Sequence, residues 1–128
     1  SVRAERAATW DVMRKLGVRA PSPEFPVQWL SGGNQQKVVF AKLLTMDIDV
    51  LILDEPTKGV DVGAKSAIYE IISDLAAQGM GIIMVSSEMP EVIGMSDKVL
   101  VMREGRISAI LDRSEASQEN ILAAAMAE

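Results

Sequence analysis

Two adjacent carboxylates end a short apolar run and are well placed to do chemistry. The run is VLIL at residues 50–53, and Asp54 and Glu55 follow it directly. We interpret the run as a strand, and ligands bind at the carboxyl ends of strands in open α/β sheets. One carboxylate would enter the coordination shell of Mg²⁺, and the other would orient or polarise water. A strand followed by an acidic turn is the simpler alternative.

A glycine pair in the segment LSGGNQQK, residues 30–37, lies where a helix is predicted to begin. A helix N-terminus presents free N–H groups and the positive end of the helix dipole. Gly32 and Gly33 would let that backbone approach a phosphate without a Cβ clash. The Ser31 hydroxyl and the Asn34 amide add side-chain donors. Taken alone, the same residues also fit an ordinary glycine-rich helix cap.

A third segment, TKGVD at residues 57–61, follows the two acids. Gly59 permits a tight turn and Asp61 can cap the next helix. Capping is the simpler interpretation of Asp61 when the segment is considered alone.

The predicted elements that position these segments alternate between helices and strands. Residues 18–29 contain three prolines and exclude a regular helix. The apolar run at 50–53 is interpreted as a strand buried on both faces, and the run at 82–85 as a second buried strand. Pro56 is expected to hold Glu55 extended. Such alternation predicts an α/β fold with a mainly parallel sheet. The predicted helices cover residues 1–17, about 31–44, 62–78, 90–94 and 114–127, and the predicted strands cover 50–53, 82–85, 99–102 and 107–111, the last two joined through Glu104 and Gly105.

Composition narrows the function classes. The 128 residues predict one domain, and the net charge of −5 disfavours a general nucleic-acid binder. Cysteine and histidine are both absent, which excludes disulfides, Cys or His metal sites and an imidazole base. The predicted apolar face of the second helix consists of Val39, Phe40, Leu43 and Leu44. Several further side chains are interpreted as structural: the aromatic ones as packing residues, and two lysines as the solvated face of the second helix. They are Trp10, Phe25, Trp29, Tyr69, Lys37 and Lys42.

Together the three segments indicate a protein family far more specifically than each segment does alone. The order LSGGNQQ followed by LILDEPTKGVD resembles the ATP-binding cassette (ABC) ATPases, in which LSGGQ is the signature motif, LILDEP the Walker B motif and GVD the D-loop. The resemblance continues through VSSEMPEVIGMSDKVLVMREGRI and covers the whole chain. Three sequence segments are most similar to the second cassette of monosaccharide importers of the ribose or galactose type: GGNQQK, DEPTKGVDVGAK and SSEMPEV.

The resemblance implies a single incomplete ABC ATPase domain over residues 1–128. It is a partial P-loop NTPase core with a mainly parallel sheet, flanking helices and a C-terminal β-hairpin. Residues 1–29 would end the helical subdomain, and residues 30–128 would hold the signature motif, Walker B, D-loop, switch region and final strands. No G-x-x-x-x-G-K-[ST] phosphate loop is present. In this family the strand that precedes the phosphate loop lies between the two strands that match residues 82–85 and 99–102. Because this chain lacks that segment, we expect a gap in the sheet.

The resemblance also assigns roles to individual residues. Asp54 would hold Mg²⁺, Glu55 would orient the attacking water, and Ser87 occupies the switch position, where the family usually has histidine. Asp61 would bridge two ATP sites. The residues assigned to binding ATP held by an opposite cassette are Ser31, Gly32, Gly33, Asn34 and Gln35.

The implied function is ATP hydrolysis that energises sugar import. The implied partners are an opposite ATP-binding cassette, membrane-spanning permease subunits and, indirectly, a sugar-binding protein, with no nucleic acid. The implied location is peripheral, on the cytoplasmic face of the inner membrane. Two alternatives are an ABC-type ATPase outside transport and a non-catalytic partner module. We expect the chain by itself to be inactive as an ATPase.

Overall fold

The computed structural model describes residues 2–46 and 48–126. The predicted ends of the first and last helices, at residues 1 and 127, lie outside the described residues. The α/β class predicted from the sequence is confirmed. The elements in chain order are α1 (Val2–Lys15), one turn of 3-10 helix (Val27–Trp29), α2 (Gly32–Leu44), β1 (Val50–Asp54), α3 (Val62–Ala77), β2 (Gly81–Val85), α4 (Met89–Met95), β3 (Lys98–Arg103), β4 (Arg106–Asp112) and α5 (Gln118–Met126).

The chain divides into two compact units, and the boundary falls within β2, between Ile83 and Met84. The first unit contains α1, α2, β1 and α3, and the second contains α4, the β3–β4 hairpin and α5. The extent of the single ABC domain inferred from the resemblance stays a prediction.

Helix α2 is the central helix of the first unit and contacts α1, α3 and the 3-10 turn. Phe40 on α2 and Ile68 on α3 are almost fully buried, as the helical spacing of their apolar neighbours predicts. Helix α1 ends at Lys15, and Gly17, the last residue of the predicted helix, turns the chain away from it with φ of +62°. The next N–H, that of Val18, donates to the Met13 carbonyl at 2.9 Å.

Strands β1 and β2 form a two-stranded parallel sheet on either side of α3 in the chain. Only alternate residues are buried: Leu51 and Leu53 lie inside, whereas Ile52 is 68% exposed. The prediction that β1 is buried on both faces is therefore wrong, and the predicted burial of β2 is incomplete, since Ile83 is exposed. Burial of both faces needs a packed layer on each side, and the described part of the chain covers one side.

The second unit is built on an antiparallel hairpin, as predicted. The strands pair from Lys98 opposite Asp112 to Arg103 opposite Arg106, and Glu104 and Gly105 turn the chain with φ of 49° and 76°. A bulge lies after Val101. One face of the hairpin packs against α4 and α5, around a buried cluster of Val99, Val101, Ala116 and Ile121.

An exposed ion pair ties together the open ends of the two strands of the hairpin. The Lys98 ammonium donates to the Asp112 carboxylate at 2.6 Å. This hydrogen bond and the negative charge of Asp112 raise the pKa of Lys98 above its ordinary value. Because both side chains lie in solvent, the pair contributes little to stability.

Four differences from the sequence-based expectations concern single side chains and helix ends. Trp29 was expected to pack but is 71% exposed. Val39 was assigned to the apolar face of α2 but is exposed, because Phe40 and Ala41 face the interior instead. Lys37 is not simply solvated, since its ammonium donates to the Gly17 carbonyl at 3.1 Å and so binds the C-terminus of α1. Helix α5 begins at Gln118, four residues later than predicted.

Both sheets leave one apolar face exposed. In the first sheet that face carries Val50 and Ile52, and in the hairpin it carries Leu100 and Met102. Strands β2 and β3 belong to different sheets, and the gap expected between them stays a prediction. Exposed strand edges next to apolar surface invite pairing with another chain.

We therefore expect purified residues 1–128 to self-associate or to unfold without a sharp cooperative transition. Sedimentation velocity over a range of concentrations, together with thermal unfolding, measures both properties. A strictly monomeric species with a sharp transition would contradict the expectation.

Candidate functional site

The N-terminus of α2 is capped by Ser31, whose backbone is extended with φ of −60° and ψ of 154°. The Ser31 Oγ accepts a hydrogen bond from the Asn34 backbone N–H at 3.4 Å and another from Asn34 Nδ2 at 3.0 Å. A hydroxyl oxygen has two acceptor lone pairs and one proton. With both lone pairs facing donors of Asn34, the group that Ser31 has left to offer a ligand is its O–H proton. The site is thereby suited to an acceptor such as a phosphate oxygen.

The amide side chains of Asn34 and Gln35 hold the preceding segment onto the helix. Asn34 Oδ1 accepts from the Arg19 backbone N–H at 2.9 Å, and Gln35 Nε2 donates to the Leu30 carbonyl at 2.8 Å. Both amides were expected to bind ATP, and their backbone partners at Arg19 and Leu30 were not predicted. The available signal was the position of the amides three and four residues after the cap, where side chains reach back to the chain before the helix.

The two glycines of this helix start differ in their surroundings. The Gln35 N–H donates to the Ser31 carbonyl at 2.8 Å, so the N–H groups of Gly32 and Gly33 precede the intrahelical hydrogen bonds. Gly32 is exposed, whereas Gly33 is buried. A Cβ placed on Gly32 would lie 3.7 Å from the Gly59 carbonyl oxygen. The fold therefore brings the LSGGN segment beside the TKGVD turn, a proximity that the sequence did not predict.

The two candidate acidic residues end β1. Asp54 is exposed and Glu55 is half-buried. Glu55 has φ of +49°, so the prediction of an extended Glu55 is wrong. The chain reverses here, because the Lys58 N–H donates to the Glu55 carbonyl at 3.1 Å while Pro56 and Thr57 are buried. A left-handed conformation costs about 1–3 kcal/mol for a residue with a side chain and is found most often at functional sites.

Asp61 caps α3 as predicted. Its Oδ1 accepts from the Ala64 backbone N–H at 2.9 Å. The preceding turn is closed by the Val60 N–H, which donates to the Thr57 carbonyl at 3.3 Å, and Gly59 has φ of +76°. Glycine adopts this conformation without the strain that a side chain would bring at position 59.

Ser87 belongs to the second unit, in the segment that leads into α4. It is exposed. The neighbouring Ser86 Oγ accepts from the Glu88 N–H at 3.0 Å and stabilises the turn before the helix. Ser87 therefore lies in an ordered, accessible position, and its role at a switch stays a prediction.

Carboxylates that could hold a metal ion are sparse. Within residues 2–46 and 48–126, no three Asp, Glu, His or Cys side chains cluster in a way that would bind one. Mg²⁺ in nucleotide sites is commonly held by one or two carboxylates together with substrate phosphates. The exposed Asp54 at the end of β1 fits that mode of binding and does not fit an all-protein metal cage.

The fold is that of an ABC ATPase cassette. A solved structure of cbiO1 from Clostridium perfringens, part of the ABC transporter complex cbiONQ, matches 95% of this chain with a TM-score of 0.75 and 27% identity. The match covers 49% of that structure. None of the helices among the described residues is long and apolar enough to cross a bilayer.

The chain is also similar in sequence to a family model and to individual proteins. The family model described as ABC transporter matches residues 3–58. The chain is 58% identical to the ribose import ATP-binding protein of Geobacillus kaustophilus, with 94% of this chain covered, and 58% identical to that of Shouchella clausii, with 92% covered. It spans 24% of the length of each of these relatives. Both comparisons show similarity to ABC transporter proteins, over residues 3–58 for the family model and over nearly the whole chain for the relatives.

Proposed function

We propose that this chain is the C-terminal part of the second cassette in an ATP-binding subunit that energises import of a monosaccharide of the ribose or galactose type. The proposal is supported by the high identity to ribose import ATP-binding proteins over nearly the whole chain. The observation that carries the site assignment is the start of α2, where Ser31 has its O–H proton left to donate.

In this proposal the start of α2 completes an ATP site whose phosphate loop belongs to the opposite cassette. The Ser31 hydroxyl and the N–H groups of Gly32 and Gly33 would donate to the γ-phosphate. Donors arranged in advance around a transferring phosphoryl group need no reorganisation during the reaction, and this is their main catalytic benefit. Asn34 and Gln35 would serve mainly by fixing the cap and the segment before it.

The two acidic residues would act in this cassette's own ATP site. Asp54 would hold Mg²⁺, which neutralises charge on the phosphates when it is bound. Glu55 would orient the attacking water, and its left-handed backbone supports a role that demands a fixed direction for the side chain. Asp61 would bridge the two sites from the turn whose Gly59 carbonyl oxygen lies near Gly32. Ser87 would contact phosphate as a neutral hydrogen-bonding group.

The proposed assembly pairs this cassette with an opposite cassette and docks both on permease subunits at the cytoplasmic face of the membrane. A sugar-binding protein would deliver the monosaccharide, and nucleic acid takes no part. The acidic net charge of −5 supports the last point.

A chimera tests the proposed function. Residues 1–128 replace the matching segment of the Geobacillus kaustophilus protein, and the product is produced with that organism's ribose permease in cells that lack their own ribose importer. We expect ribose uptake and ATP hydrolysis to be restored. The intact relative is the positive control, and a variant of it without the segment is the negative control.

Two results would contradict the proposal in different ways. A folded chimera that neither hydrolyses ATP nor imports ribose would favour a non-catalytic partner module. A chimera that hydrolyses ATP but supports no uptake of ribose or galactose would favour an ABC-type ATPase outside sugar transport.

A further inference from the structure

Helices α2 and α3 approach each other closely at a glycine and an alanine. Gly33, in the first turn of α2, is buried, and a Cβ placed on it would lie 2.5 Å from the Ala64 Cβ. This separation is well below a van der Waals contact between two methyl groups, which is near 4 Å. The space between the helices therefore holds one methyl group, and Ala64 supplies it.

Ala64 also makes the hydrogen bond that orders the turn before α3. Its backbone N–H donates to Asp61 Oδ1 at 2.9 Å. One residue thus contacts the glycine segment through its methyl group and the D-loop aspartate through its N–H. The neighbouring Gly32 differs, because a Cβ there would lie at an ordinary 3.7 Å from the Gly59 oxygen.

We propose that Ala64 is a positioning residue, whose methyl group sets the distance between the start of α2 and the turn at residues 57–61. It follows that glycine is needed at position 33 for helix packing against Ala64, and not for the approach of a phosphate to a bare backbone. The proposal rests on the proposed function only where it concerns ATP turnover, because the packing of α2 on α3 is independent of any ligand.

Moving the methyl group from one helix to the other tests the proposal. Gly33→Ala, Ala64→Gly and the double variant are made in the chimera described above. Gly33→Ala forces the helices apart, and displacements of about 1 Å can cost roughly 10²-fold in turnover. We expect kcat for ATP to fall by about that factor while KM changes little, and we expect the double variant to recover most of the loss.

A second pair of variants leaves the glycine segment untouched. Ala64→Val adds volume at the contact, whereas Ala67→Val adds the same volume one turn later, where the side chain lines a groove of about 640 Å³ between α1, α2 and α3. We expect Ala64→Val to lower kcat as Gly33→Ala does, and Ala67→Val to leave it near the parent value.

Resistance to limited proteolysis provides a readout that needs no ATPase activity. The proposal predicts that Gly33→Ala increases cleavage and that the double variant restores resistance, even if the chimera is inactive and the proposed function fails. A double variant that is as protease-sensitive, or as slow, as Gly33→Ala alone would overturn the proposal. So would equal losses of kcat in Ala64→Val and Ala67→Val.

Discussion

Purified residues 1–128 are expected to show no ATP turnover and no micromolar binding of Mg·ATP. The reason is the absence of a G-x-x-x-x-G-K-[ST] segment from the chain. The backbone amides and the lysine of such a loop make most of the contacts to the phosphates in P-loop enzymes. The start of α2 offers donors, but in the proposed assembly they face a nucleotide already held by another cassette.

Calorimetric titration of the chain with Mg·ATP measures the binding, and a phosphate-release assay measures the turnover. The chimera with the Geobacillus kaustophilus protein is the matched control, since it contains the same residues within the rest of a ribose import ATP-binding protein. Micromolar affinity of residues 1–128 alone would show that the chain forms a nucleotide site of a different kind.

Ser31→Arg in the chimera is expected to depress ATP hydrolysis by roughly 10²–10³-fold, the usual loss when one donor to a transition-state oxyanion is removed. The substitution removes the only side-chain proton that Ser31 can give and places a large side chain at the helix start. Nucleotide binding should suffer less than turnover, because the phosphate loop of the opposite cassette makes most of the phosphate contacts.

Ser117 provides a control with the same local chemistry. Its Oγ accepts from the Asn120 backbone N–H at 3.1 Å at the start of α5, as Ser31 accepts from Asn34 at the start of α2. Ser117→Arg therefore removes an equivalent helix cap, worth about 1 kcal/mol, from a helix without an assigned ligand. We expect it to leave turnover near the parent rate. Equal ATPase rates for Ser31→Arg and the parent chimera would contradict the signature assignment.

Features that depend on neighbours along the chain could be predicted from the sequence. The cap at Ser31, the cap at Asp61, the stop at Gly17 and the hairpin turn at Glu104–Gly105 are all present in the structure. Each is determined by hydrogen bonds or backbone conformations that span a few residues, so the local order of residue types is sufficient. The order of the motifs likewise indicated the resemblance to ABC proteins without reference to the fold, and the sequence comparisons agree with it.

Features that depend on distant parts of the chain were decided only by the tertiary structure. The lack of a side chain at Gly33 suggested contact with a phosphate. The atom nearest to a Cβ placed there is the Ala64 Cβ, on another helix. The amide of Asn34 suggested a ligand donor, but its oxygen binds the backbone of Arg19.

The burial of a residue also depends on distant parts of the chain. The apolar run ending at Asp54 predicted a strand covered on both faces, whereas Ile52 is exposed because the described residues supply a layer on one side only. An apolar residue type shows that a position can be buried. A glycine at the start of a helix shows that other atoms can approach the backbone closely there. Which surface makes the approach depends on how the helices pack, and that is determined by steric contacts between residues far apart in the chain.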